Sequence, residues 1–316
     1  MSKNLPKIDK NFLEAYKNSG GNPQHLIDEN TPSLTVSHNK VLSVTEIAGI
    51  HMEAEELPDG VKATIKVDEG VEYDEPIHIC FGMMATKGRQ EVQSEYIIGK
   101  NAKVSVIAHC TFPNSINVIH EMEAKVTVEE GGDFEYHEEH FHGVATGAFV
   151  RPRTKALIKK KARYANTFKL VGGRVGKLDI HYEADLQEKA IVELLTKAAG
   201  IKDDKIKITE IFNLNGAYAR GIVKSRVVVR NDSTSEFFAE ANGNAPNSRG
   251  HVDCTEILAD NARASAIPKV TVNHESAKIT HEASIGKIDN KKIETLMARG
   301  LTEDEAIDVI IKGLLK

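Results

Sequence analysis

Hydrophobic and polar residues alternate along most of this chain, from about residue 60 to residue 287. Stretches such as GVKATIKVDEG, AKVSVIAHCTF and IPKVTVNHESAKIT carry an apolar residue at nearly every second position. That period indicates β-strands with one buried face. The segment EKAIVELLTKAAG is ambiguous, because Ala190, Ile191, Leu194 and Leu195 would also suit a helix. Its β-rich neighbours favour a strand, and the range contains no convincing long amphipathic helix.

The two ends of the chain have a different pattern. Near the N-terminus, Phe12, Leu13 and Tyr16 have helical spacing and Gly20-Gly21 follows as a stop. They predict one short helix. A β-rich stretch, TPSLTVSHNKVLSVTEI, comes after it.

The C-terminal residues predict two short helices. Asp289 suits the N-cap of the first and Gly300 its end, and TEDE at 302–305 is a capping box for the second. Ile307, Ile310 and Ile311 then share one apolar stripe with Leu314. On physical grounds alone, such a pair favours a cap over the open end of a β-solenoid, with docking of a partner as the alternative.

A small residue after a polar or glycine corner opens a strand at several places about 30 residues apart. These positions are Ala102, Gly132, Ala162, Ala190, Ala217 and Ala262, with room for a degenerate copy near Ser235. A repeat of this size without helices favours stacked β coils, since a solenoid needs a tight corner at the same place in each turn. A sandwich with long hairpins is the alternative.

Composition narrows the class of protein. The 316 residues are 41% hydrophobic, enough for a sizeable core, and no apolar run suggests a membrane span or a secretory signal. The three cysteines are widely spaced without a CxxC pair, which is typical of a reducing cytoplasm. A net charge of −5 and the absence of Trp give no reason to expect nucleic acid.

Cys254 stands among polar residues, with His251, Asp253 and Glu256 close by. In an extended strand Cys254 and Glu256 share one face, so the thiol can lie beside a carboxylate, a pair able to hold iron or zinc. Most such cysteines are simply small core residues.

Two histidine–glutamate pairs follow, in NHES (His274 and Glu275) and in THEA (His281 and Glu282). Adjacent residues of a strand point to opposite faces. Neither pair can therefore join one site unless the strand is broken.

The string HEEHFH is the most metal-like of the sequence. Glu138, His140 and His142 share one strand face, a reasonable first-row metal triad, although a solvated strand is the ordinary interpretation. The string faintly resembles the cupin HxH signature, but the flanking glycine spacing is wrong. The basic stretch RPRTKALIKKKAR at 151–163 favours a solvated face over a nucleic-acid stripe, because aromatics are sparse around it. Neither a phosphate-binding loop nor a catalytic triad is evident.

Four segments in the last hundred residues resemble the SufB/SufD family, the scaffolds of the Suf iron–sulfur cluster assembly system. They are GAYARGIV at 216–223, DNARASAIPKVTV at 260–272, AKITHEASIGKID at 277–289 and ARGLTEDEAIDVIIKGLL at 298–315. The resemblance implies a β-helix flanked by helical segments, in agreement with the solenoid. We therefore predict a mainly β fold, a right-handed parallel β-helix. Its segments are a mixed N-terminal part (1–60), the β-helix core (61–287) and a C-terminal helical hairpin (288–316).

The resemblance also assigns roles to residues. It implies Cys254 as sulfur acceptor and cluster ligand, with one residue gapped, and Glu282 as cluster ligand. His281 and His251 are further possible ligands. The presence of Cys254 and Glu282 makes the chain SufB-like and short, and the cluster it carries would be transient.

The family's C-terminal segment docks a SufC-like ABC ATPase, so the resemblance overrides the cap. The predicted contact residues in this hairpin are Ile293, Met297, Arg299, Gly300, Ala306, Ile307, Ile310 and Ile311. The chain itself would not be an enzyme, and it would pair with itself or with a SufD-like paralogue. A sulfur donor and apo-protein recipients complete the expected partners, with no nucleic acid and no membrane. Two alternatives remain, a cupin-like metal protein using His140 and His142, and a metal-free β-solenoid adaptor.

Overall fold

The protein is described by a computed structural model covering residues 8–143, 145 and 147–315. The first seven residues of the predicted N-terminal segment and Lys316 of the hairpin lie outside the described part. Within it, nineteen strands alternate between two sheets. In chain order they are β1 Ser33–Ser37, β2 Lys40–Thr45, β3 Ile50–Leu57, β4 Gly60–Val67, β5 Glu72–Gly82, β6 Lys87–Ile98, β7 Lys103–Phe112, β8 Asn117–Val128, β9 Asp133–His142, β10 Ala148–Ile158, β11 Arg163–Leu170, β12 Gly176–Leu186, β13 Ile191–Gly200, β14 Lys205–Leu214, β15 Arg220–Val229, β16 Thr234–Gly243, β17 Arg249–Leu258, β18 Arg263–Val272 and β19 Lys278–Lys287.

The two sheets form a parallel β-solenoid of about eight turns. One sheet has the order β19-β17-β15-β13-β11-β9-β7-β5-β1-β2, and the other has β18-β16-β14-β12-β10-β8-β6-β4-β3. Neighbouring strands are parallel except in the pairs β1–β2 and β3–β4. The solenoid is confirmed and the sandwich is wrong, because a sandwich of hairpins would be antiparallel throughout.

Alternate residues of each strand point into the coil and form one continuous core. The ambiguous segment near residue 194 shows this well: β13 alternates between buried and partly exposed positions along its whole length, so the strand prediction is confirmed. Because parallel strands stack in register, one inward position recurs about every 29 residues as a column along the coil. This stacking decides which chemical groups meet inside.

The corners explain the repeat. In the ten-stranded sheet, a residue with positive φ precedes a buried small residue just before each strand from β7 to β17. The small residues are Ala102, Gly132, Ala162, Ala190, Ala219 and Ser248. The first four predicted positions are confirmed, but Ala217 is wrong by two residues. Ala262 instead precedes a strand of the other sheet, as Ser233 does. The predicted spacing of 45 residues between Ala217 and Ala262 therefore compared corners of two different sheets.

Short helices precede and follow the coil in the chain. Helix α1, Lys10–Asn18, starts at Asp9, whose side chain accepts a hydrogen bond from the Phe12 backbone at 2.8 Å. The 3-10 helix Pro23–Leu26 follows, and β1 pairs with β5, so the predicted N-terminal segment and core share a sheet. No helix in the described residues is long and apolar enough to span a membrane.

At the other end lie helices α2, Asn290–Met297, and α3, Glu303–Leu314, with the predicted capping box between Thr302 and Glu305. Ile293 and Ala306 are buried in the core of this hairpin against Ile257 of the coil. Met297, Arg299 and Gly300 are exposed, and Ile307, Ile310 and Ile311 are half-buried.

The basic stretch at 151–163 lies on the outside, as expected for a solvated face. Its cations are paired with carboxylates of adjacent turns: Arg153 with Asp179 at 2.8 Å, Lys159 with Glu129 at 2.7 Å, and Arg163 with Glu135 at 2.6 Å. These pairs neutralise charge that a nucleic-acid stripe would need to leave available.

Candidate functional site

Cys254 and Glu256 point together into the last full turn of the coil. Both lie on β17, whose alternate residues are buried, and each side chain is about 1% exposed. The Cys254 Sγ donates a long hydrogen bond to Glu256 Oε1 at 3.9 Å. The shared face inferred from the alternation is confirmed, and the thiol does have a carboxylate neighbour.

Burial controls the protonation of this pair. It raises the pKa of the Glu256 carboxyl to about 7. Burial, followed by the charge of Glu256, raises the pKa of the Cys254 thiol to about 12. At neutral pH the sulfur therefore carries its proton, while the carboxyl beside it is close to half-ionised. This is a pair in which the carboxylate can take up the proton of the thiol when the thiol reacts.

The raised pKa values make stability depend on pH. Glu210, also fully buried, has its pKa raised to about 7 by burial. Both carboxyls therefore bind a proton more tightly in the folded chain than in the unfolded chain, where their pKa is the ordinary 4.5. The free energy of unfolding should therefore fall as pH rises between those two values, by up to roughly 3 kcal/mol for each carboxyl.

We expect Glu256→Gln to stabilise the protein by roughly 1–3 kcal/mol at about pH 8 and by little at about pH 5, because an amide carries no charge to bury. Urea denaturation at the two pH values measures this difference. Glu236→Gln, an exposed position on the neighbouring turn, is the control and should change neither value. An equal effect of Glu256→Gln at both pH values would contradict the prediction.

Glu282 does not lie beside Cys254 in the single chain. Strand register pairs Glu282 with Asp253, and it pairs Cys254 with Ala283. In-register neighbours of parallel strands share a face, so Glu282 lies on the outer face while the thiol lies inside. His251 is also on the outer face, with its Nδ1 2.8 Å from Thr280 Oγ1.

His281 pairs with Val252 and so shares its face of the sheet, yet it is exposed because β19 is the last strand. His281 and Glu282 thus occupy opposite faces, as the alternation predicts. In the other pair, His274 lies in a turn and hydrogen-bonds there to the Ser276 side chain at 3.1 Å.

One face of the HEEHFH string is buried and the other is partly exposed, so its interpretation as a solvated strand is wrong for the buried face. Glu138, His140 and His142 all point into the coil, which confirms their shared face. Glu138 Oε1 accepts a hydrogen bond from His140 Nε2 at 2.6 Å. His142 instead donates from Nδ1 to the backbone oxygen of Arg174, at 2.9 Å.

The structure brings His140 to two residues that were not in the predicted triad. Cys110 on β7 is its in-register neighbour, and His120 reaches it from β8 of the opposite sheet. One ligand atom from each of Cys110, His120 and His140 lies within 4.8 Å of the others. In the described part of the chain, His140 Nδ1 and both ring nitrogens of His120 have no hydrogen-bond partner. Each buried, unpaired group of this kind costs about 1–3 kcal/mol.

Burial keeps His120, His142 and Cys110 uncharged at neutral pH. Burial lowers the pKa of His120 well below its ordinary value and lowers that of His142 to about 3. Burial raises the pKa of the Cys110 thiol. Phe112 and Phe168 lie against the rings of His120 and His140, with centroids 4.7 and 4.9 Å apart, so the surroundings are apolar.

Comparison with known proteins agrees with this fold. The family model described as the SUF system FeS cluster assembly SufBD core domain matches residues 84–314. An iron–sulfur cluster assembly SufBD family protein of Methanocaldococcus jannaschii is 36% identical over 96% of both chains. One from Pyrococcus horikoshii is 35% identical over 96% of this chain and 92% of its own. The iron–sulfur cluster assembly protein SufB of Bacillus subtilis is 22% identical over 80% of this chain and 54% of its own.

This chain belongs to the SufBD family of iron–sulfur cluster assembly proteins. The cupin-like alternative is therefore wrong as a fold, because cupins are antiparallel jelly rolls and this coil is parallel.

Proposed function

We propose that this protein is a scaffold on which an iron–sulfur cluster is assembled and from which it is released, rather than an enzyme. The observation that carries the proposal is the buried thiol–carboxylate pair of Cys254 and Glu256, one strand away from the end of a SufBD-family coil. All three cysteines are free thiols. Free thiols suit a reducing cytoplasm, where we place the protein.

In the proposed sulfur step, Cys254 attacks the outer sulfur of a persulfide on a donor protein. Ionised Glu256 takes the proton of the thiol, and the thiolate formed bonds to the outer sulfur as the donor's S–S bond breaks. The donor leaves as a thiolate, and Cys254 becomes a persulfide with no net oxidation. Glu256 is thus the proton acceptor that lets a thiol with a strongly raised pKa react.

Iron ligation by Cys254 and Glu282 requires a rearrangement, because the two lie on opposite faces of the sheet. A shift of β19 by one residue turns all its side chains to the other face and places Glu282 beside Cys254. Such a shift is least costly in the last strand of a sheet, which is held from one side only. ATP-driven closure of docked ATPases would favour the shifted state as a population change. His251 and His281 supply further imidazoles nearby.

Two surfaces in the C-terminal region are proposed to bind partners. A SufC-like ABC ATPase would bind the α2–α3 hairpin, and a second copy of the chain or a SufD-like paralogue would cover the open end of the coil. Sulfur enters from a donor protein, and apo-proteins receive the finished cluster. A ligand set that mixes one thiolate with carboxylate and imidazole holds a cluster less firmly than four thiolates, which suits release.

Anaerobic reconstitution with iron and sulfide tests the scaffold. We expect wild type to develop charge-transfer absorption, and Cys254→Ser and Glu282→Ala to lose most of it while circular dichroism stays unchanged. Glu275→Ala, in the other histidine–glutamate pair, is the matched control and should behave as wild type. Equal spectra for all four proteins would remove Cys254 and Glu282 from the ligands. A metal-free adaptor would give no absorption at all.

A further inference from the structure

We propose that Cys110, His120 and His140 form a binding site for one divalent first-row transition metal inside the coil. The three residues come from three successive strands, β7, β8 and β9, and their ligand atoms lie within 4.8 Å of one another. In a tetrahedral site with bonds of about 2.0–2.3 Å, ligand atoms are about 3.3–3.7 Å apart. Side-chain movements of about 1 Å would therefore close the three groups on an ion.

The hydrogen bonds around His140 fit a metal ligand. Its Nε2 donates to Glu138 at 2.6 Å, so the proton is on Nε2 and the lone pair is on Nδ1. That Nδ1 is buried, and nothing in the described residues bonds to it. A carboxylate that holds one ring nitrogen while the other faces the ion is the usual support of a metal-binding histidine.

His120 gives the second, independent observation. The residue is 0% exposed, and neither of its ring nitrogens finds a partner within residues 8–143, 145 and 147–315. The adjacent His142 donates from Nδ1 to the Arg174 carbonyl, which leaves its buried Nε2 as an unprotonated acceptor as well. The unpartnered nitrogens of His120 and His140 beside the Cys110 thiol are explained together by an ion that they would share.

A crevice leads inward from the outer surface as far as Glu138, the carboxylate that holds His140. A cleft of about 580 Å³ on the outer surface adjoins an inner crevice of about 10 Å³ that reaches Glu138. The two share Ser94, Ala124, Arg153 and Thr154 as lining residues. The inner crevice, about the size of one water, lies where β10 carries Pro152 and its pairing with β12 is interrupted.

The donor set selects the class of metal. One thiolate with two imidazoles suits Zn²⁺ or Fe²⁺ and disfavours Mg²⁺ or Ca²⁺, which take oxygen ligands. Binding breaks the S–H bond of Cys110 and forms a sulfur–metal bond, and one proton leaves to the solvent for each ion bound. No oxidation state changes.

The site is separate from the proposed cluster ligands. Cys110 and Cys254 are on strands of the same sheet that are five strand spacings apart, or about 24 Å at about 4.8 Å each. Failure of one proposal would therefore leave the other standing.

Titration of chelator-treated protein with Co²⁺ tests the site, because thiolate-to-cobalt charge transfer and visible d–d bands report a tetrahedral thiolate complex. We expect one Co²⁺ to bind per chain. Displacement of Co²⁺ by Zn²⁺ and, in a separate anaerobic experiment, by Fe²⁺ compares the affinities of the two ions. Cys110→Ser should lose the charge-transfer band and His120→Phe the tetrahedral d–d bands. Glu138→Gln should weaken binding about 10- to 100-fold.

Two controls keep the test decisive. Cys80→Ser removes a buried thiol of the adjacent strand that lies outside the coil beneath α1, and Cys254→Ser removes the thiol at the far end. Both should keep the bands. If Cys110→Ser fails to fold, Cys110→Ala and His120→Phe replace it, with thermal unfolding as readout: Zn²⁺ should raise the Tm of wild type and leave theirs unchanged. No Co²⁺ spectrum in folded wild type, or bands lost with Cys254→Ser and kept without Cys110, would overturn the proposal.

Discussion

Removing the chain after Gly286 is expected to abolish binding of the ABC ATPase that we propose as a partner. The deletion takes away α2 and α3, which form a small core of their own and contact the coil through Ile257 and through the ion pair of Asp308 with Arg230 at 3.2 Å. The strands up to β19 pair without the hairpin, so circular dichroism of the β fold should persist. Coexpression with the ATPase and recovery of both chains in affinity purification measure the loss.

Point variants refine this experiment, since a truncated protein can also fail through aggregation. Met297 and Val309 are 42% and 48% exposed on the hairpin, whereas Ile293 and Ala306 are buried within it. We therefore expect Met297→Asp with Val309→Asp to raise the Kd for the ATPase by about 100-fold, the effect of losing central interface contacts. The predicted contacts at Ile293 and Ala306 would act only by supporting the hairpin.

Ile116→Asp is the matched control for these variants. Ile116 is a similarly exposed apolar residue, at 49%. It lies in the loop between β7 and β8, in the N-terminal half of the coil. It should leave ATPase binding unchanged. Recovery of the ATPase with the truncated chain at wild-type yield would place the docking surface elsewhere.

Alternation and corner chemistry favoured the coil but left a sandwich open, and the resemblance to the SufB/SufD family decided between the two. The period of two identified the strands, and the small residues at Ala102, Gly132, Ala162 and Ala190 located one corner of four successive turns. The pattern failed at Ala217, because alanines also occur within the turn before the corner. At Ala262 it crossed to the other sheet, since both corners use the same small-residue chemistry.

The inner site could have been found only in part. Cys110 and His140 are one repeat of 30 residues apart, so the corner spacing already predicts that they are stacked neighbours. His120 comes from the opposite sheet. The repeat spacing predicts which residues stack within one sheet, but it does not predict contacts between the two sheets. The shared face of Cys254 and Glu256 follows from residues two apart, which is why it was predicted correctly. The separation of Cys254 from Glu282 depends on strand register, which the local pattern does not fix.

The open end of the coil should mediate pairing with a second copy. Strands β18 and β19 are the last of their sheets in the described residues, so each presents one unpaired edge. Ile267, Val272 and Ile285 are 60%, 50% and 42% exposed there. Unpaired edges with apolar side chains tend to pair with another chain, and Pro268 and the few charged residues of β18 and β19 leave these apolar side chains exposed. A homodimer through this end would place two copies of Cys254 and Glu282 near the same interface.

We expect Ile267→Asp combined with Ile285→Lys to convert the protein from dimer to monomer, with the dissociation constant raised about 100-fold or more. Both charges would be buried in the apolar dimer interface, which disfavours the dimer. Neither position is in the core of the single chain, so the fold should survive. Sedimentation equilibrium measures the change, and Ile116→Asp again serves as the control. Because both proposed cluster ligands lie on the last two strands of the ten-stranded sheet, the monomer should also lose most of the iron-dependent absorption while keeping the Co²⁺ spectrum of the inner site. A wild-type chain that sediments as a monomer would contradict the homodimer, and a variant that remains dimeric would place the pairing surface elsewhere.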